Sequence, residues 1–138
     1  MYPIYNKFYY KPLPDCIEVK KSNVHGYGVF AKEDIKQGEI LEECHFISIN
    51  PQLWETLSRT QLVRYVFNYP KQAYPKECTW PLGNGCIYNS STSPNADWIT
   101  DTQRRLFVFS AIQDIKKGEE ICTDYQEAIE WVKSQNLI

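Results

Sequence analysis

The pattern of apolar and polar positions predicts a domain made of many short strands. Residues 16–20 alternate apolar and charged side chains, which is typical of a half-buried strand. Residues 106–109 are continuously apolar, as expected for a strand that is buried on both faces. By the same criteria, further strands are predicted at residues 29–31, 39–49, 86–88 and 119–125.

The middle of the chain changes character and predicts two short helices. Asn50 followed by Pro51 is a typical helix start, because asparagine caps free N–H groups and proline fits the first helical position. The large apolar residues of this helix fall on one face: Leu53, Trp54 and Leu57. A second helix is predicted over residues 62–67, ending before Pro70, and residues 70–85 are predicted to form a loop.

The two ends of the chain differ from this pattern. Residues 1–14 are rich in tyrosine and proline and predict an extended arm, whereas residues 126–135 predict a helix with Trp131 on its apolar side. The fold class that follows is mostly β with short helices, a β-rich α+β domain.

Length, net charge and apolar content indicate which partners and which cellular location to expect. With 138 residues the chain has the size of one domain, and its net charge of −2 gives no broad basic face, so direct nucleic acid binding is not expected. No segment reaches the roughly 20 apolar residues of a membrane span, and the start lacks the pattern of a secretory signal. We therefore expect a cytoplasmic protein without membrane contact, or one acting in a host nucleus if its source is a virus or a secreted effector.

The five cysteines are odd in number and widely spaced. A disulfide framework favours an even count, and structural zinc favours cysteine pairs two to four residues apart. Buried, unreactive thiols and no metal site are therefore predicted.

Common catalytic motifs are missing from the sequence. It has no phosphate-binding glycine loop, no dinucleotide-binding turn and no nucleophile elbow, and only two histidines could act as bases. Three other segments could carry chemistry: Gly26-Tyr27-Gly28-Val29-Phe30, Asn89-Ser90-Ser91-Thr92-Ser93-Pro94-Asn95, and residues 118–125 with the sequence GEEICTDY. Taken singly, each is explained as well by a tight turn or by packing.

In this order and at these separations, the three segments resemble the SET-domain family of protein lysine methyltransferases. The family patterns are G-x-G-Φ-F, N-H-S-x-x-P-N and G-E-E-[LI]-x-x-D-Y, and the resemblance spans about residues 15–126. It implies a SET-domain fold of several small sheets with a C-terminal pseudoknot. It divides the chain into the arm at 1–14, a SET domain with a helical insertion at about 46–84, and a helical segment at 127–138.

The resemblance also implies a site and an activity. S-adenosylmethionine would be held by a set of residues from all three motifs: Gly26, Tyr27, Gly28, Asn89, Ser90 and Tyr125. Tyr125 takes the place of the family's catalytic tyrosine. The implied reaction transfers a methyl group to a lysine side chain of a protein or peptide, with histones among the candidate substrates and S-adenosylhomocysteine as product. Some small members pair, so a homodimer is a further expectation.

Three departures from the family pattern qualify this expectation. Ser90 replaces the histidine of N-H-S, which keeps open the alternative of a catalytically degenerate domain that acts as a protein-interaction module. Thr123 stands where the family often has phenylalanine or tyrosine, which suggests room for higher methylation. The zinc-binding cysteine module that often follows the domain is absent, so Trp131 is nominated to close the lysine channel. Other aromatic residues could line that channel or simply pack in the core: Trp54, Tyr65 and Tyr69.

Overall fold

A computed structural model describes residues 15–71 and 75–125. The strands are β1 (Ile17–Lys21), β2 (Tyr27–Ala31), β3 (Ile40–Cys44), β4 (Phe46–Ser48), β5 (Phe67–Tyr69), β6 (Glu77–Pro81), β7 (Asn89–Ser90), β8 (Ala96–Asp101), β9 (Leu106–Ala111) and β10 (Glu120–Thr123). One α-helix, α1 (Pro51–Leu57), and a 3₁₀-helix (Gln61–Tyr65) complete the described elements.

These strands form three small sheets with the orders β1-β2-β10-β7, β3-β9-β8 and β4-β6-β5. All described pairings of strands are antiparallel except that of β7 with β10, which is parallel and places Asn89 beside Cys122. Next to this parallel pair, Ser91 donates a backbone hydrogen bond to Thr123 and Asn95 donates one to Cys122. The segment after Asn89 thus lies along β10, the arrangement that the predicted pseudoknot requires.

Two turns of similar sequence join the first two sheets. Residues 34–39 (DIKQGE) and 114–119 (DIKKGE) face each other, and Ile35 and Ile115 exchange backbone hydrogen bonds of 2.7 and 2.8 Å. The Asp114 carboxylate accepts from Gln37 N–H and the Asp34 carboxylate from Lys117 N–H, each at 2.9 Å. Because every bond has its counterpart, the start of β3 and the start of β10 are fixed relative to one another.

The core is mainly aromatic and centres on β9. Phe107 and Phe109 are fully buried, as the continuous apolar run predicts. Phe67 packs against Phe107 with ring centroids 5.4 Å apart and against Trp98 at 4.9 Å. The same cluster contacts Tyr125, the second residue after β10, because the Tyr125 ring packs edge-on against Phe67.

The strand-rich fold class is confirmed, but several predicted elements are wrong. The strand predicted at 39–49 is interrupted at His45, and its two halves, β3 and β4, belong to different sheets. The loop predicted at 70–85 contains β6, the central strand of its sheet. Residues 86–88 are not a strand, whereas the unpredicted strand β8 pairs with β9 along its whole length.

The helical region is confirmed only in its first part. The Asn50 side chain accepts a hydrogen bond of 2.7 Å from Gln52 N–H, and Pro51 is the first helical residue, as predicted. The second helix is a 3₁₀-helix, shorter than predicted, because Phe67 already belongs to β5 and pairs with Thr79.

The predicted arm at 1–14 and the helical segment at 127–138 with Trp131 lie outside the described residues, as do residue 126 and residues 72–74. Within the part that is described, no helix combines the length and apolar character needed to cross a membrane.

Candidate functional site

The Gly26–Gly28 turn connects β1 to β2 at one edge of the candidate site. Gly26 has a φ of +49°, a left-handed conformation that glycine adopts without steric cost, and its carbonyl accepts a hydrogen bond of 2.8 Å from Ser22 N–H. Gly28 is buried, and glycine is required here for a steric reason rather than a conformational one. A Cβ atom at this position would lie 2.9 Å from Asn89 Nδ2 and 2.9 Å from Glu120 Cδ, so only glycine lets the two side chains approach β2. Tyr27 exposes 62% of its surface, and its contribution to the turn is its main chain.

Asn89 ties this turn to the other two motifs. Its amide nitrogen donates to the carbonyls of His25 (3.1 Å) and Tyr27 (3.2 Å) and to Glu120 Oε2 (2.7 Å). These bonds use the nitrogen of the amide, and no donor in the described residues is directed at its oxygen, Asn89 Oδ1. The structure therefore brings Gly26, Gly28 and Asn89 together, and leaves a strong acceptor beside the turn.

Glu120 is a site residue that the sequence analysis missed, although it lies within the third motif. Its two carboxylate oxygens accept from Ser22 Oγ (2.6 Å) and from Asn89 Nδ2. Glu120 also pairs with Phe30 of the first motif, so it links β10 to both of the other motifs and adds a negative charge next to Gly28. A charged residue at the start of the apolar strand β10 was the available signal.

Tyr125 follows β10 at the other end of the site. Its hydroxyl donates to the Gly85 carbonyl (3.4 Å), and its ring lies edge-on to Phe67 at 5.4 Å. Burial raises the pKa of Tyr125 well above its usual range, so the hydroxyl stays protonated at neutral pH. Gly85 is a second residue that the sequence analysis missed, because its role depends on a contact 40 residues away.

Ser90, the departure from the family pattern, also contacts Tyr125. Its hydroxyl oxygen accepts a hydrogen bond of 3.2 Å from the backbone N–H of Tyr125, while its main chain pairs with Thr123 in the parallel ladder. The small side chain thus fixes the backbone that carries the tyrosine. It is smaller than the imidazole of the family pattern.

Thr123 is completely buried between these groups. Its hydroxyl forms no hydrogen bond of good geometry among the described residues, although it lies close enough to the Tyr125 hydroxyl to offset part of the rise in pKa that burial causes in that group. A buried hydroxyl without a partner costs free energy, and this one lies two residues from Tyr125.

The aromatic residues considered as channel lining have different positions. Tyr69 is a core residue, because it is 3% exposed and packs against Phe46 and Phe107. Tyr65 is 44% exposed and Trp54 lines a surface groove beside α1. None of these three has a ring contact with Tyr125 among the described residues, so the lining of the channel stays a prediction.

The cysteines and acidic residues do not form a metal site in the part of the chain that is described. All five cysteines are free thiols, with Cys16, Cys44 and Cys122 buried and the other two half-buried. Burial raises the pKa of the Cys86 thiol to about 11, and the same cause raises that of Cys44 further. These thiols are therefore protonated at neutral pH.

Comparison with known proteins places this arrangement in a family. The family model described as "SET domain" matches residues 26–126. A "Variant-silencing SET domain-containing protein" of Plasmodium falciparum (isolate 3D7) is 29% identical over 140 residues, covering 88% of this chain and 5% of that protein. A candidate histone-lysine N-methyltransferase of Arabidopsis thaliana, ASHH4, is 30% identical over 112 residues, covering 73% of this chain and 30% of that protein. The chain thus spans less than a third of the length of either relative.

Solved structures share the fold. A Plasmodium falciparum protein described as a candidate histone methyltransferase has a TM-score of 0.62 and 30% identity, with 82% of this chain and 95% of that chain covered. The Neurospora SET domain protein DIM-5, a histone lysine methyltransferase, has a TM-score of 0.62 and 20% identity, with 79% and 51% covered, which concerns the fold alone. Because the family model covers most of the chain, including the three motifs that meet at β2, β7 and β10, this protein belongs to the SET-domain family.

Proposed function

We propose that this protein transfers a methyl group from S-adenosylmethionine to lysine side chains of a protein substrate. The observation that carries the proposal is the meeting of three distant motifs. The Asn89 amide donates to the carbonyls of His25 and Tyr27 at the glycine turn, and the Ser90 hydroxyl accepts from the backbone N–H of Tyr125. Family membership and the names of the relatives support the same class of activity.

The residues at the turn fit the methionine part of the cofactor. That part carries a carboxylate and two cations, an ammonium and a sulfonium, and the cations favour hydrogen-bond acceptors and negative charge nearby. Asn89 Oδ1 and the Glu120 carboxylate supply these, and the missing Cβ of Gly28 keeps both groups close to the backbone. We propose that the ammonium group is held by these two side chains together with main-chain carbonyls of the turn.

The reaction needs placement more than acid–base chemistry. When bound, S-adenosylmethionine supplies a methyl group on a positively charged sulfur, which a neutral amine can attack in line. Deprotonating a lysine from its usual pKa of about 10.4 at pH 7.4 costs roughly 4 kcal/mol. A site that excludes water lowers this cost, because desolvation disfavours the ammonium form.

Tyr125 is proposed to orient the reacting groups. Since its proton is committed to the Gly85 carbonyl, the lone pairs of its oxygen face away from that bond and can accept weak C–H or N–H contacts. A neutral hydroxyl suits this role better than a phenolate, because the negative charge of a phenolate would stabilise the protonated form of the substrate lysine. The raised pKa of Tyr125 keeps the hydroxyl neutral.

Histones are the substrates to test first, because the Arabidopsis relative is named for histone lysine. The decisive experiment combines calorimetry with S-adenosylmethionine and a radiolabelled methyl-transfer assay on core histones and on cell-lysate proteins. We expect saturable cofactor binding, label on lysine, and labelling that is at least about 100-fold slower with Tyr125→Phe. A protein that binds the cofactor but labels nothing would instead be the catalytically degenerate interaction module, which the serine at position 90 favours. Absence of cofactor binding would refute the methyltransferase and would instead indicate an interaction module that has no cofactor pocket.

A further inference from the structure

A buried carboxylate lies beneath the candidate site, on β3. Glu42 is only 5% exposed, and its neighbour Leu41 is buried as well, so the carboxylate lies inside the domain. Its Oε1 accepts a hydrogen bond of 2.6 Å from the Tyr88 hydroxyl, and its Oε2 accepts one of 3.2 Å from Asn84 N–H. One side chain thus holds both ends of the segment formed by residues 83–88.

The same segment is shaped to fit around Glu42. Gly83 has a φ of +67°, and a Cβ atom there would lie 2.9 Å from Glu42 Oε2. Tyr88 is 3% exposed and stacks on Phe109 with ring centroids 4.5 Å apart and an angle of 11°. The hydroxyl that meets Glu42 is therefore fixed by the core, and the carboxylate fixes the rest of the segment against it.

Gly85 lies in the middle of this segment and contacts Tyr125. Its carbonyl accepts the Tyr125 hydroxyl, and a Cβ atom at Gly85 would lie 2.5 Å from Pro81 Cβ, so the backbone is pressed against β6. A change in the hydrogen bonds to Asn84 or Tyr88 should displace this carbonyl, and the orientation of the Tyr125 hydroxyl should change with it.

Stability alone does not account for a carboxylate at this place. Burying a carboxylate costs free energy, and an apolar side chain of similar volume is often neutral or stabilising. What a carboxylate adds is directional hydrogen bonding to two groups at once, which fixes one conformation of the segment.

We infer that Glu42 is a positioning residue for methyl transfer, acting through Tyr88 and the 83–85 backbone on the Gly85 carbonyl and so on the Tyr125 hydroxyl. The inference rests on the proposed function. Glu42 touches neither of the transferring groups. Its removal should therefore lower kcat, because misplacing a reacting group by about 1 Å can cost about 100-fold. It should leave the dissociation constant of the cofactor unchanged, because Asn89 is held separately by its pairing with β10 and by its bonds to the glycine turn and Glu120.

The test compares Glu42→Leu, Glu42→Gln and, as a matched control, Glu43→Leu. Glu43 is the next residue of β3, and its carboxylate pairs with Arg104 on the opposite face. Each variant is assayed for methyl transfer to core histones or lysate proteins, for S-adenosylmethionine binding by calorimetry, and for hydrogen–deuterium exchange of the peptide containing Asn84. We expect Glu42→Leu to lose about 10-fold or more in kcat and to exchange faster at Asn84. Glu42→Gln, which can still bond both partners, should recover most of the rate, and Glu43→Leu should behave as the wild type.

A second comparison separates positioning from general loss of structure. In a Tyr125→Phe background the hydroxyl is gone, so Glu42→Leu should cost little further rate there. Equal losses in both backgrounds, a weakened cofactor affinity, or full activity of Glu42→Leu would each overturn the inference. If Glu42→Leu does not fold, Tyr88→Phe removes the same bond from the other partner and must show the same pattern. An inactive wild-type protein would count against the proposed function, whereas an active wild type with insensitive variants counts against the role of Glu42 alone.

Discussion

Replacing Gly28 with alanine tests the site at its most crowded point. The new Cβ atom would come within 2.9 Å of Asn89 Nδ2 and closer still to the Glu120 carboxylate. Both obstacles are ends of side chains rather than backbone, so the chain can fold if they move aside. Moving them breaks the hydrogen bond of 2.7 Å that joins Asn89 to Glu120. The bond of 2.6 Å from Ser22 to Glu120 is strained at the same time.

The expected losses follow from these contacts. A hydrogen bond to a charged group contributes about 1.5–3 kcal/mol, but these side chains are only partly buried, so water replaces part of it. Alanine in a strand also recovers about 0.5–1 kcal/mol relative to glycine. We expect a net destabilisation of about 1 kcal/mol, together with a 10- to 100-fold weaker affinity for S-adenosylmethionine because Asn89 is displaced.

The assay measures the free energy of unfolding in urea and the cofactor dissociation constant for Gly28→Ala, with and without Glu120→Ala. Removing the Glu120 carboxylate relieves the main clash, so in that background Gly28→Ala should be neutral or stabilising by about 0.5–1 kcal/mol. Gly38→Ala is the control. Gly38 has a φ of +91° with open space around it, so alanine there should cost stability through strain and leave cofactor binding unchanged.

One result would refute the crowding argument directly. If Gly28→Ala destabilises equally in both backgrounds, the Glu120 side chain is not what limits the space at this position. If its affinity for the cofactor equals that of the wild type, the Asn89 amide is not part of the cofactor site.

Three further predictions concern the other end of the site. Tyr125→Phe should lower kcat by at least about 100-fold while the cofactor dissociation constant changes less than about twofold, because the hydroxyl acts on the reacting groups only. A parallel loss of cofactor affinity in calorimetry would contradict this. The small, buried Thr123 should allow di- or trimethylated lysine to form, and product masses that stop at monomethyl-lysine would contradict this. Burial raises the pKa of Cys86 from about 8.5 in an unfolded chain to about 11. Its contribution to stability is therefore complete below about pH 8.5 and is lost as the pH rises towards about 11. Urea unfolding of the wild type between these values should show a decline that Cys86→Ala reduces, and an unchanged decline in that variant would exclude Cys86 as its source.

The sequence predicts well those features that depend on neighbours along the chain. The cap at Asn50 and the buried strand β9 need only local chemistry and an apolar run, and both are confirmed. The break at His45 could not be predicted, because apolar residues continue on both sides of it and periodicity does not show a change of sheet. The predicted strand at 39–49 divides into two because β3 pairs with β9 whereas β4 pairs with β6 in another sheet.

Strand β6 is not predicted from the sequence because of its prolines. Three prolines between residues 70 and 85 favour a loop, yet Pro81 ends its strand opposite Phe46, where a missing N–H is tolerated. Strand β8 follows a stretch of turn residues and carries Ile99 outwards, 51% exposed, while Ala96 and Trp98 face the core. Its alternation is clear only once β9 is known to lie beside it.

The candidate site shows the same division between order along the chain and contact in space. The order of the motifs along the chain identifies Gly28 and Asn89. Glu120, Gly85 and Glu42 are identified only by contacts between residues that are distant in sequence. The sequence around a carboxylate on a short strand does not show which distant group the carboxylate will contact. Sequence therefore points to the family and to the residues of its motifs, and leaves unnamed the residues that hold those motifs in position.

The paired turns at 34–39 and 114–119 explain how such distant motifs come together. Their reciprocal bonds fix the approach to β10, and Ala31 and Glu119 then bond across the end of β2 at 3.0 Å. From that point the antiparallel ladder sets Glu120 opposite Phe30 and brings its carboxylate over Gly28. The parallel ladder on the other side of β10 adds Asn89. Each group of the site is therefore placed by a pairing of strands far apart in the chain, so the site forms only when the whole domain has folded.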